Sequence, residues 1–469
     1  MKNFKTGALS LFAVFVIATG LCAESDRKPN VVLVYADDLG IGDVSAYFEG
    51  GEIPTPHIDR LAEEGIRFTD AHVAASVCAP SRFALLTGTF SWRYADEGYK
   101  LYRSGLFTMA DLFRGAGYRT AMFGKWHLGS ASRIAREGGG KHVWPERVEG
   151  MAGDAGFDVS VILPWGHQFP PCAFIRDDVF ENYDPEDPIT AEPIDGEWKM
   201  TGGLAARVPP TEVAERLQRE ALDFIRRNAE RPFFVYYAVP QVHDPYVPRP
   251  EFRGATKIGA YGDYVVELDE AVGELVRTLK ETGAWENTLL VFTSDNGATI
   301  RRALPAEVRG NHSPNGPYRG GKGSLYEGGI RVPFIAVWPG HIPENTVSDE
   351  PISTTDLMAT FSAMLGADLP PGAARDSYDI LPILLGGSDA SSKRIYVYES
   401  AKGKLALRSG PWKLIDGPGG GGFNKAVPGA PEVQLYNVRK DPYETTNLQA
   451  NDPERVRSLR ELLTKIAFE

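Results

Sequence analysis

The stretch Asn30-Val-Val-Leu-Val-Tyr-Ala36, followed by Asp37-Asp38-Leu39-Gly40, decides the fold of this chain. The first seven residues form a continuous apolar run rich in β-branched side chains, which is typical of a strand buried on both faces. Such strands occur in parallel sheets that helices cover on both sides. The two aspartates follow the strand directly, where ligands bind in sheets of this kind. We therefore expect an α/β protein with a polar site at the carboxyl ends of its strands.

The rest of the chain alternates between candidate helices and candidate strands. Helices are predicted over residues 55–65, 108–116, 211–229, 261–282 and 354–365, and further strands over 119–123, 233–239, 288–292 and 331–338. This alternation indicates a doubly wound, mostly parallel sheet. Residues 130–210 are rich in Gly, Pro, Asp and Trp and show little periodicity, so we interpret them as long insertions around the active face.

From about residue 375 the pattern changes to short strands and turns, with strands predicted over 394–399 and 404–408. The run Gly417-Pro-Gly-Gly-Gly-Gly422 resembles a phosphate cradle only superficially. No Lys-Ser or Lys-Thr follows it and no helix opens from it, so a hairpin loop is favoured. We therefore expect a catalytic α/β domain over residues 24–375 and a smaller domain over 376–469.

The N-terminus has the pattern of a signal peptide over residues 1–23. Lys2 and Lys5 precede an apolar run over 8–21, and Leu21-Cys22-Ala23 is a plausible cleavage site. Lipidation of Cys22 is an alternative, although Leu21 is bulky for that pattern. No other apolar run reaches the length of about 20 residues that spans a membrane, so we expect no membrane span after cleavage.

The overall charge is acidic. Removal of the signal peptide loses two lysines and no acidic residue, which changes the formal net charge from −12 to −14. Such a surface is a poor partner for nucleic acid, and an anionic substrate needs a local basic pocket. The chain holds three cysteines and no evident disulfide framework, which favours export to a bacterial periplasm, or secretion, over a vertebrate secretory route.

The most distinctive motif is Val77-Cys-Ala-Pro-Ser-Arg-Phe-Ala-Leu-Leu-Thr-Gly88. Proline suits the first position of a helix, so Cys78 is expected at or just outside a helix N-terminus, where anions are favoured. A cysteine there is expected to be partly exposed, with a lowered pKa of its thiol. Arg82, one turn into the helix, can return its guanidinium toward the same place. The alternative is a buried structural cysteine.

Four oxygen-bearing side chains follow two of the strands, namely Asp37, Asp38, Asp295 and Asn296. Hard oxygen ligands without Cys or His partners suit Ca²⁺ or Mg²⁺ rather than zinc, and Ca²⁺ tolerates more ligands. An isolated Asp-Asp pair is more often a turn or a helix cap. The second acidic pair at another strand end favours a metal site.

Positive charge and proton carriers lie in separate segments. Lys125 and His127 stand in Gly-Lys-Trp-His-Leu-Gly, and His243, Lys322 and Arg82 complete the set. Lysine and arginine can hold anionic oxygens, and histidine can act as an acid or a base near neutrality. A lone histidine is more often a packing residue, which is the alternative for His243.

Cys78-Ala-Pro-Ser-Arg82-x-x-Leu85-x-Thr-Gly88 resembles the signature of type I sulfatases, which belong to the alkaline phosphatase-like superfamily. The resemblance recurs at five further places between Asn30 and Arg331, and at Leu435-Tyr-Asn-x-x-x-Asp-Pro-x-Glu-x-x-Asn-Leu448. It implies an alkaline phosphatase-like fold that ends in a small antiparallel sheet and a helix. It also implies that a separate maturation enzyme oxidises Cys78 to formylglycine, and that calcium binds the four oxygen-bearing residues and residue 78.

The resemblance further implies a role for each basic residue. Hydrated formylglycine at position 78 attacks sulfur, and His243 and Lys322 help to protonate the departing alcohol. His127 then removes the proton from the second hydroxyl, which expels sulfate and restores the aldehyde. Lys125 and Arg82 orient the sulfate and the diol. His243 stands in Gln-Val-His-Asp-Pro, which departs from the usual Pro-His pattern, while Tyr326 and Glu327 are expected to be structural.

Some relatives carry a Ser-His pair where this chain has Pro164-Trp-Gly-His-Gln168. Trp165 and His167 are therefore candidate substrate contacts, with packing in a loop as the alternative. The sequence thus predicts an exported calcium-dependent sulfatase that acts on sulfated carbohydrates. The alternatives are a phosphonate or phosphodiester hydrolase of the same superfamily, and a non-catalytic binder of sulfated glycans in which Cys78 is never matured.

Overall fold

The computed structural model describes residues 27–48, 51–97, 102, 105–129, 140–167, 169–299, 312–388, 394–423 and 428–468. The predicted signal peptide, including Cys22, and Gln168 lie outside the described residues. Among the described helices, none combines the length and the apolar character that a membrane crossing requires.

The described strands follow one another along the whole chain. They are β1 Asn30–Ala36, β2 Ile66–Phe68, β3 Ala71–His72, β4 Arg119–Lys125, β5 His142–Val143, β6 Val159–Leu163, β7 Ile175–Arg176, β8 Val179–Phe180, β9 Thr190–Ile194, β10 Glu197–Met200, β11 Phe233–Ala238, β12 Thr288–Ser294, β13 Phe334–Val337, β14 Thr346–Ser348, β15 Ile352–Ser353, β16 Ile395–Glu399, β17 Leu405–Ser409, β18 Trp412–Asp416 and β19 Val433–Asn437. The α-helices are α1 Pro56–Glu64, α2 Cys78–Thr87, α3 Met109–Gly115, α4 Pro210–Asn228, α5 Ala260–Glu281, α6 Glu327–Ile330, α7 Leu357–Leu365, α8 Leu381–Leu384 and α9 Pro453–Phe468.

The central sheet has ten strands within the described residues, in the order β14-β2-β13-β12-β1-β11-β4-β6-β7-β8. Its middle, from β12 through β1, β11 and β4 to β6, is entirely parallel. Antiparallel pairs begin at β13 on one side and at β7 on the other. The predicted doubly wound, mostly parallel sheet is therefore confirmed.

Strand β1 supplies side chains to both faces of the sheet. Leu33 and Tyr35 pack with helices α2, α3 and α7, whereas Val32 and Val34 pack with α1, α4 and α5. All four side chains are fully buried. Complete burial of one such aliphatic side chain stabilises the fold by about 1.5–3 kcal/mol. The two helical layers place loops, rather than helices, at the carboxyl ends of the parallel strands.

The second unit is the antiparallel sheet β16-β17-β18-β19. Leu459 and Leu463 of helix α9 pack on one of its faces. Tyr398 on the other face packs with Leu325 and Ile330, which follow Lys322 in the chain. The predicted C-terminal antiparallel sheet with a helix is confirmed, and its inner face adjoins the segment that carries Lys322. The division at residue 375 stays a prediction.

The described part of residues 130–210 is more regular than predicted. That part holds strands β5 to β10, of which β6, β7 and β8 extend the central sheet and β5, β9 and β10 form a sheet of their own. All six of these strands have two to five residues, which is too short for a clear periodic pattern in the sequence.

Candidate active site

Four neighbouring parallel strands end at one edge of the central sheet, and the polar motifs follow them there. Asp37 and Asp38 follow β1, Asp295 follows β12, and Lys125 closes β4. Backbone hydrogen bonds tie these ends together: the Asp37 N–H donates to the Gln241 carbonyl at 2.8 Å, and the Asp295 N–H donates to the carbonyl that precedes Asp37 at 3.0 Å. Segments far apart in the sequence therefore meet in one place.

Cys78 is the first residue of helix α2, and Pro80 is therefore the third helical residue rather than the first. The Cys78 Sγ atom lies 3.2 Å from Nζ of Lys322 and 3.5 Å from Oδ1 of Asp37. The side chain is only 4% exposed. Burial, helped by the Asp295 carboxylate, raises the pKa of the thiol. The expectation of a partly exposed thiol with a lowered pKa was wrong, because burial and the nearby carboxylates outweigh the helix N-terminus.

Each of three buried carboxylates has its own basic partner. Lys125 Nζ lies 2.7 Å from Asp37, Lys322 Nζ lies 2.6 Å from Asp38, and Arg82 Nη2 lies 2.6 Å from Asp295. Burial alone would raise the pKa of the Asp37 carboxyl, but Lys125, His243 and Arg82 hold it well below its usual range. At Asp295 burial prevails over Arg82 and raises the pKa of the carboxyl.

Arg82 is fully buried, so its guanidinium is a partner of the carboxylates rather than an exposed anion contact. It donates to Asp295 through both Nε and Nη2, at 3.0 and 2.6 Å, and through Nη1 to the Lys125 carbonyl at 3.3 Å. A planar guanidinium bound in this way fixes the orientation of the carboxylate. The structure therefore gives Arg82 the position of a residue that holds Asp295.

The donor set fits a hard divalent cation. Asn296 directs its Nδ2 to Asp38 Oδ1 at 2.7 Å, and its buried Oδ1 has no hydrogen-bond partner among the described residues. Ligand atoms of Asp37, Asp38, Cys78 and His243 all lie within 4.8 Å of one another. A buried amide oxygen without a donor beside clustered carboxylates is the environment that oxygen-coordinated Ca²⁺ or Mg²⁺ requires.

The two histidines differ in their surroundings. His243 Nδ1 lies 2.7 Å from the Asp244 carbonyl, which can only accept, so Nδ1 carries a proton; Nε2 lies 3.6 Å from Asp38 Oδ2. His127 has a left-handed backbone with φ of 59°, and neither ring nitrogen has a hydrogen-bond partner within the described chain. Burial, reinforced by Lys125 and Arg82, holds the pKa of His127 well below its ordinary value.

Trp165 and His167 are packed beneath the surface, at 4% and 2% exposure. The Trp165 ring lies 4.8 Å from the His127 ring, and His167 Nε2 lies 3.0 Å from the Pro245 carbonyl. These contacts favour the packing alternative over direct contact with a substrate, because neither side chain presents an open face.

Sequence reasoning missed Thr299, whose hydroxyl donates to Asp38 Oδ2 at 3.2 Å. It stands only three positions after Asn296 in the sequence, but a threonine in a loop carries no signal of its own. It also missed how Glu327 works, although that residue was expected to be structural. Glu327 is fully buried and accepts from Lys413 at 2.8 Å and from Arg331 at 2.8 Å.

A second group of possible metal ligands, separate from the first, consists of Asp70, His72 and Glu327. Here Arg331 Nη2 lies 2.9 Å from Asp70, and Arg408 bridges the same carboxylate. These guanidiniums already satisfy the carboxylates, so the group is a structural ion network.

Comparison with known proteins agrees with this architecture. The sulfatase family model matches residues 29–367. An N-acetylgalactosamine-6-O-sulfatase of Bacteroides thetaiotaomicron is 36% identical, and the match covers 94% of each chain. Human arylsulfatase A is 33% identical over 96% of this chain and 89% of its own length. A solved structure from a study of glycosaminoglycan metabolism by Bacteroides thetaiotaomicron is similar with a TM-score of 0.85 and 34% identity, covering 94% of this chain and 100% of that one.

The fold is that of the alkaline phosphatase-like superfamily, in its arylsulfatase-like form. Within that superfamily, the chain belongs to the sulfatase family and is a sulfuric ester hydrolase.

Proposed function

We propose that this sulfatase is exported and removes sulfate from sulfated carbohydrates, using a formylglycine made from Cys78 and a calcium ion. The observation that carries the proposal is the position of Cys78, whose Sγ lies 3.2 Å from Lys322 Nζ and 3.5 Å from Asp37 Oδ1. Residue 78 thus adjoins both the acidic residues and a cation. The alternative that Cys78 is only a packing residue does not explain why three carboxylates and three cations surround it.

Asp37, Asp38, Asp295, Asn296 and residue 78 are the proposed calcium ligands. The bound cation supplies positive charge beside the hydrated aldehyde, whose hydroxyl oxygen is the nucleophile toward sulfur. The three carboxylates and their partners Lys125, Lys322 and Arg82 balance one another in charge. A divalent cation therefore adds two positive charges to the site, which favours the binding of a sulfate ester although the full chain has a formal net charge of −12.

The remaining roles, proton transfer and orientation of the sulfate, belong to the chain's own side chains. Lys322, which lies beside residue 78, and His243 act on the departing alcohol, to which they supply a proton. His127 serves as the base toward residue 78, because its depressed pKa keeps the imidazole neutral near pH 7. Lys125 orients the sulfate oxygens while it holds Asp37, and Arg82 acts through Asp295.

The proposed substrate class follows from the relatives. One of them is an N-acetylgalactosamine-6-O-sulfatase at 36% identity over nearly the whole chain, which supports a sulfated sugar as the natural substrate. The proposed partners are accordingly a sulfated carbohydrate and a formylglycine-generating or sulfatase-maturating enzyme. The signal-peptide pattern over residues 1–23 supports export to the periplasm or the medium.

Rates on two artificial substrates test the proposal. The protein, produced together with a maturation enzyme, is expected to hydrolyse 4-nitrophenyl sulfate with a kcat/KM about 100-fold above that for bis(4-nitrophenyl) phosphate, a difference of about 2.7 kcal/mol in barrier. A preference for the phosphate diester would favour the phosphodiesterase alternative. Conversion of Cys78 together with undetectable turnover of sulfate esters would contradict the proposed chemistry altogether.

Asn296→Ala is expected to weaken calcium binding, because it removes the buried Oδ1, which accepts no hydrogen bond from the described residues. The loss should be at least about 10-fold, since even outer partners of metal ligands cost about 10–100-fold in affinity when they are removed. Elemental analysis of the dialysed protein and calcium titration measure it. Asn296→Asp, which keeps an oxygen at this position, is the matched control. Equal calcium content in the alanine variant and the wild type would remove Asn296 from the ligand set.

A further inference from the structure

The glycine-rich run over residues 417–422 directly follows β18 and lies against the segment that follows Lys322. The Leu325 N–H donates to the Gly420 carbonyl at 2.7 Å. Gln434 Nε2 donates to the carbonyls of Gly417 and Gly419 at 3.1 and 2.9 Å. The loop is therefore hydrogen-bonded from two sides, and its position relative to Lys322 is fixed.

The glycines in this loop allow the two segments to touch backbone to backbone. A Cβ atom at Gly420 would lie 2.2 Å from Ser324 Oγ. A Cβ at Gly422 would lie 3.1 Å from the backbone of Gly323, and Gly421 has a φ of +68°. The glycines are therefore explained by this close contact rather than by phosphate binding, because a larger residue would push the loop away from the segment that follows Lys322.

Phe423 stands at the end of this loop and is 57% exposed. Its ring covers Gly323, where a Cβ would lie 2.8 Å from ring carbon Cε2. Gly323 follows Lys322, whose Nζ lies 3.2 Å from Cys78 Sγ. The Gly323 N–H donates to the Ser76 carbonyl at 2.6 Å. An exposed phenyl ring thus packs against the residue that follows Lys322 in the chain.

We propose that Phe423 is the platform on which the sugar ring of the substrate stacks, on the leaving-group side of the site. The inference rests on the proposed function, because Lys322 is assigned there to the departing alcohol. Aromatic side chains among a few placed polar groups are the usual lining of ligand sites, and a phenyl face suits the apolar face of a pyranose. In this proposal the Gly417–Gly422 run positions the Phe423 ring at the site.

Two other aromatic residues fit this role less well. Trp165 is 4% exposed and packs on His127, so its faces are covered. Phe169 is 43% exposed, and its ring packs on that of Trp165, at 5.8 Å between ring centroids. It therefore lies on the side of His127, the proposed base, rather than on the side of the departing alcohol.

Phe423→Ala is expected to raise KM for N-acetylgalactosamine 6-sulfate about 10-fold, the equivalent of about 1.4 kcal/mol of lost stacking and burial, with kcat changed less than about 2-fold. Inhibition by inorganic sulfate, which contacts only the anion pocket, is expected to be unchanged. Phe423→Trp should restore KM. Phe468→Ala removes an 88% exposed phenyl ring at the end of α9 and is the matched control.

The outcomes distinguish a failure of the proposed stacking on Phe423 from a failure of the proposed function on which it rests. An active wild type whose KM does not respond to Phe423→Ala would overturn the platform alone, as would an equal rise in KM in Phe169→Ala with none in Phe423→Ala. A fall in kcat together with weaker inhibition by sulfate would show that Phe423 acts by supporting Lys322, which also contradicts the proposal. A matured wild type that hydrolyses aryl sulfates but no sulfated sugar would overturn the proposed substrate class and the platform with it.

Discussion

Cys78→Ala is expected to abolish the hydrolysis of sulfate esters, with a loss in kcat of at least about 10⁴-fold, as for other enzymes that lose their nucleophile. The side chain is surrounded by Lys322, Asp37 and Asp38, at 3.2, 3.5 and 3.8 Å from Sγ. A methyl group offers no oxygen to sulfur and no ligand to a cation. Initial rates with 4-nitrophenyl sulfate measure the effect.

Two controls keep this prediction specific. The thermal unfolding midpoint of Cys78→Ala should stay near that of the wild type, because alanine fills part of the same volume without adding charge. Mass spectrometry of the wild-type peptide should show the loss of about 18 Da that conversion of a thiol to an aldehyde produces. Retained turnover in the alanine variant, or full activity in a protein whose peptide keeps the mass of cysteine, would exclude formylglycine from the mechanism.

Lys413→Met is expected to cause the largest loss of stability, about 3–5 kcal/mol, which is the usual cost of removing one member of a buried ion pair. Lys413 is completely buried, and its Nζ lies 2.8 Å from Glu327 and 2.9 Å from Glu444. The substitution leaves two carboxylates without their common cation. Burial has already raised the pKa of Glu444 to about 7, with Lys413 opposing the rise.

The thermal unfolding midpoint of Lys413→Met measures this loss. Lys440→Met, at an exposed position shortly after β19, should leave the midpoint nearly unchanged. The double variant Lys413→Met with Glu444→Gln should recover part of the loss, because Glu327 keeps Arg331 as a partner and the second substitution neutralises the other carboxylate that Lys413 contacts. A midpoint equal to that of the wild type in the single variant would mean that the ion network does not stabilise the junction of the two sheets.

The part of the fold that the sequence predicted well is the part with long, regular elements. The helix expected over residues 55–65 is Pro56–Glu64, and the one expected over 211–229 is Pro210–Asn228. Strand β1 has the bounds that its apolar run indicated. In these segments the local pattern and the tertiary environment favour the same structure, so the pattern alone suffices.

The chemistry of individual side chains was harder to predict, because it depends on neighbours that are distant in the sequence. The pKa of the Cys78 thiol is raised by burial and by Asp295, which lies more than 200 residues away. Trp165 is covered because it packs on His127 and Phe169. The tendency of ligands to bind at the carboxyl ends of parallel strands predicted which residues meet. It holds no information on how deeply each one is buried.

The burial of Cys78 also sets an order of events during biosynthesis. Lys322, which lies against the thiol, is 244 residues further along the chain, and the sheet that supports it comes later still. In the folded protein Cys78 is only 4% exposed, so its sulfur atom is nearly inaccessible to another protein. On the proposed maturation, the oxidising enzyme must reach this residue while the polypeptide is still open, so synthesis, oxidation and folding compete in time.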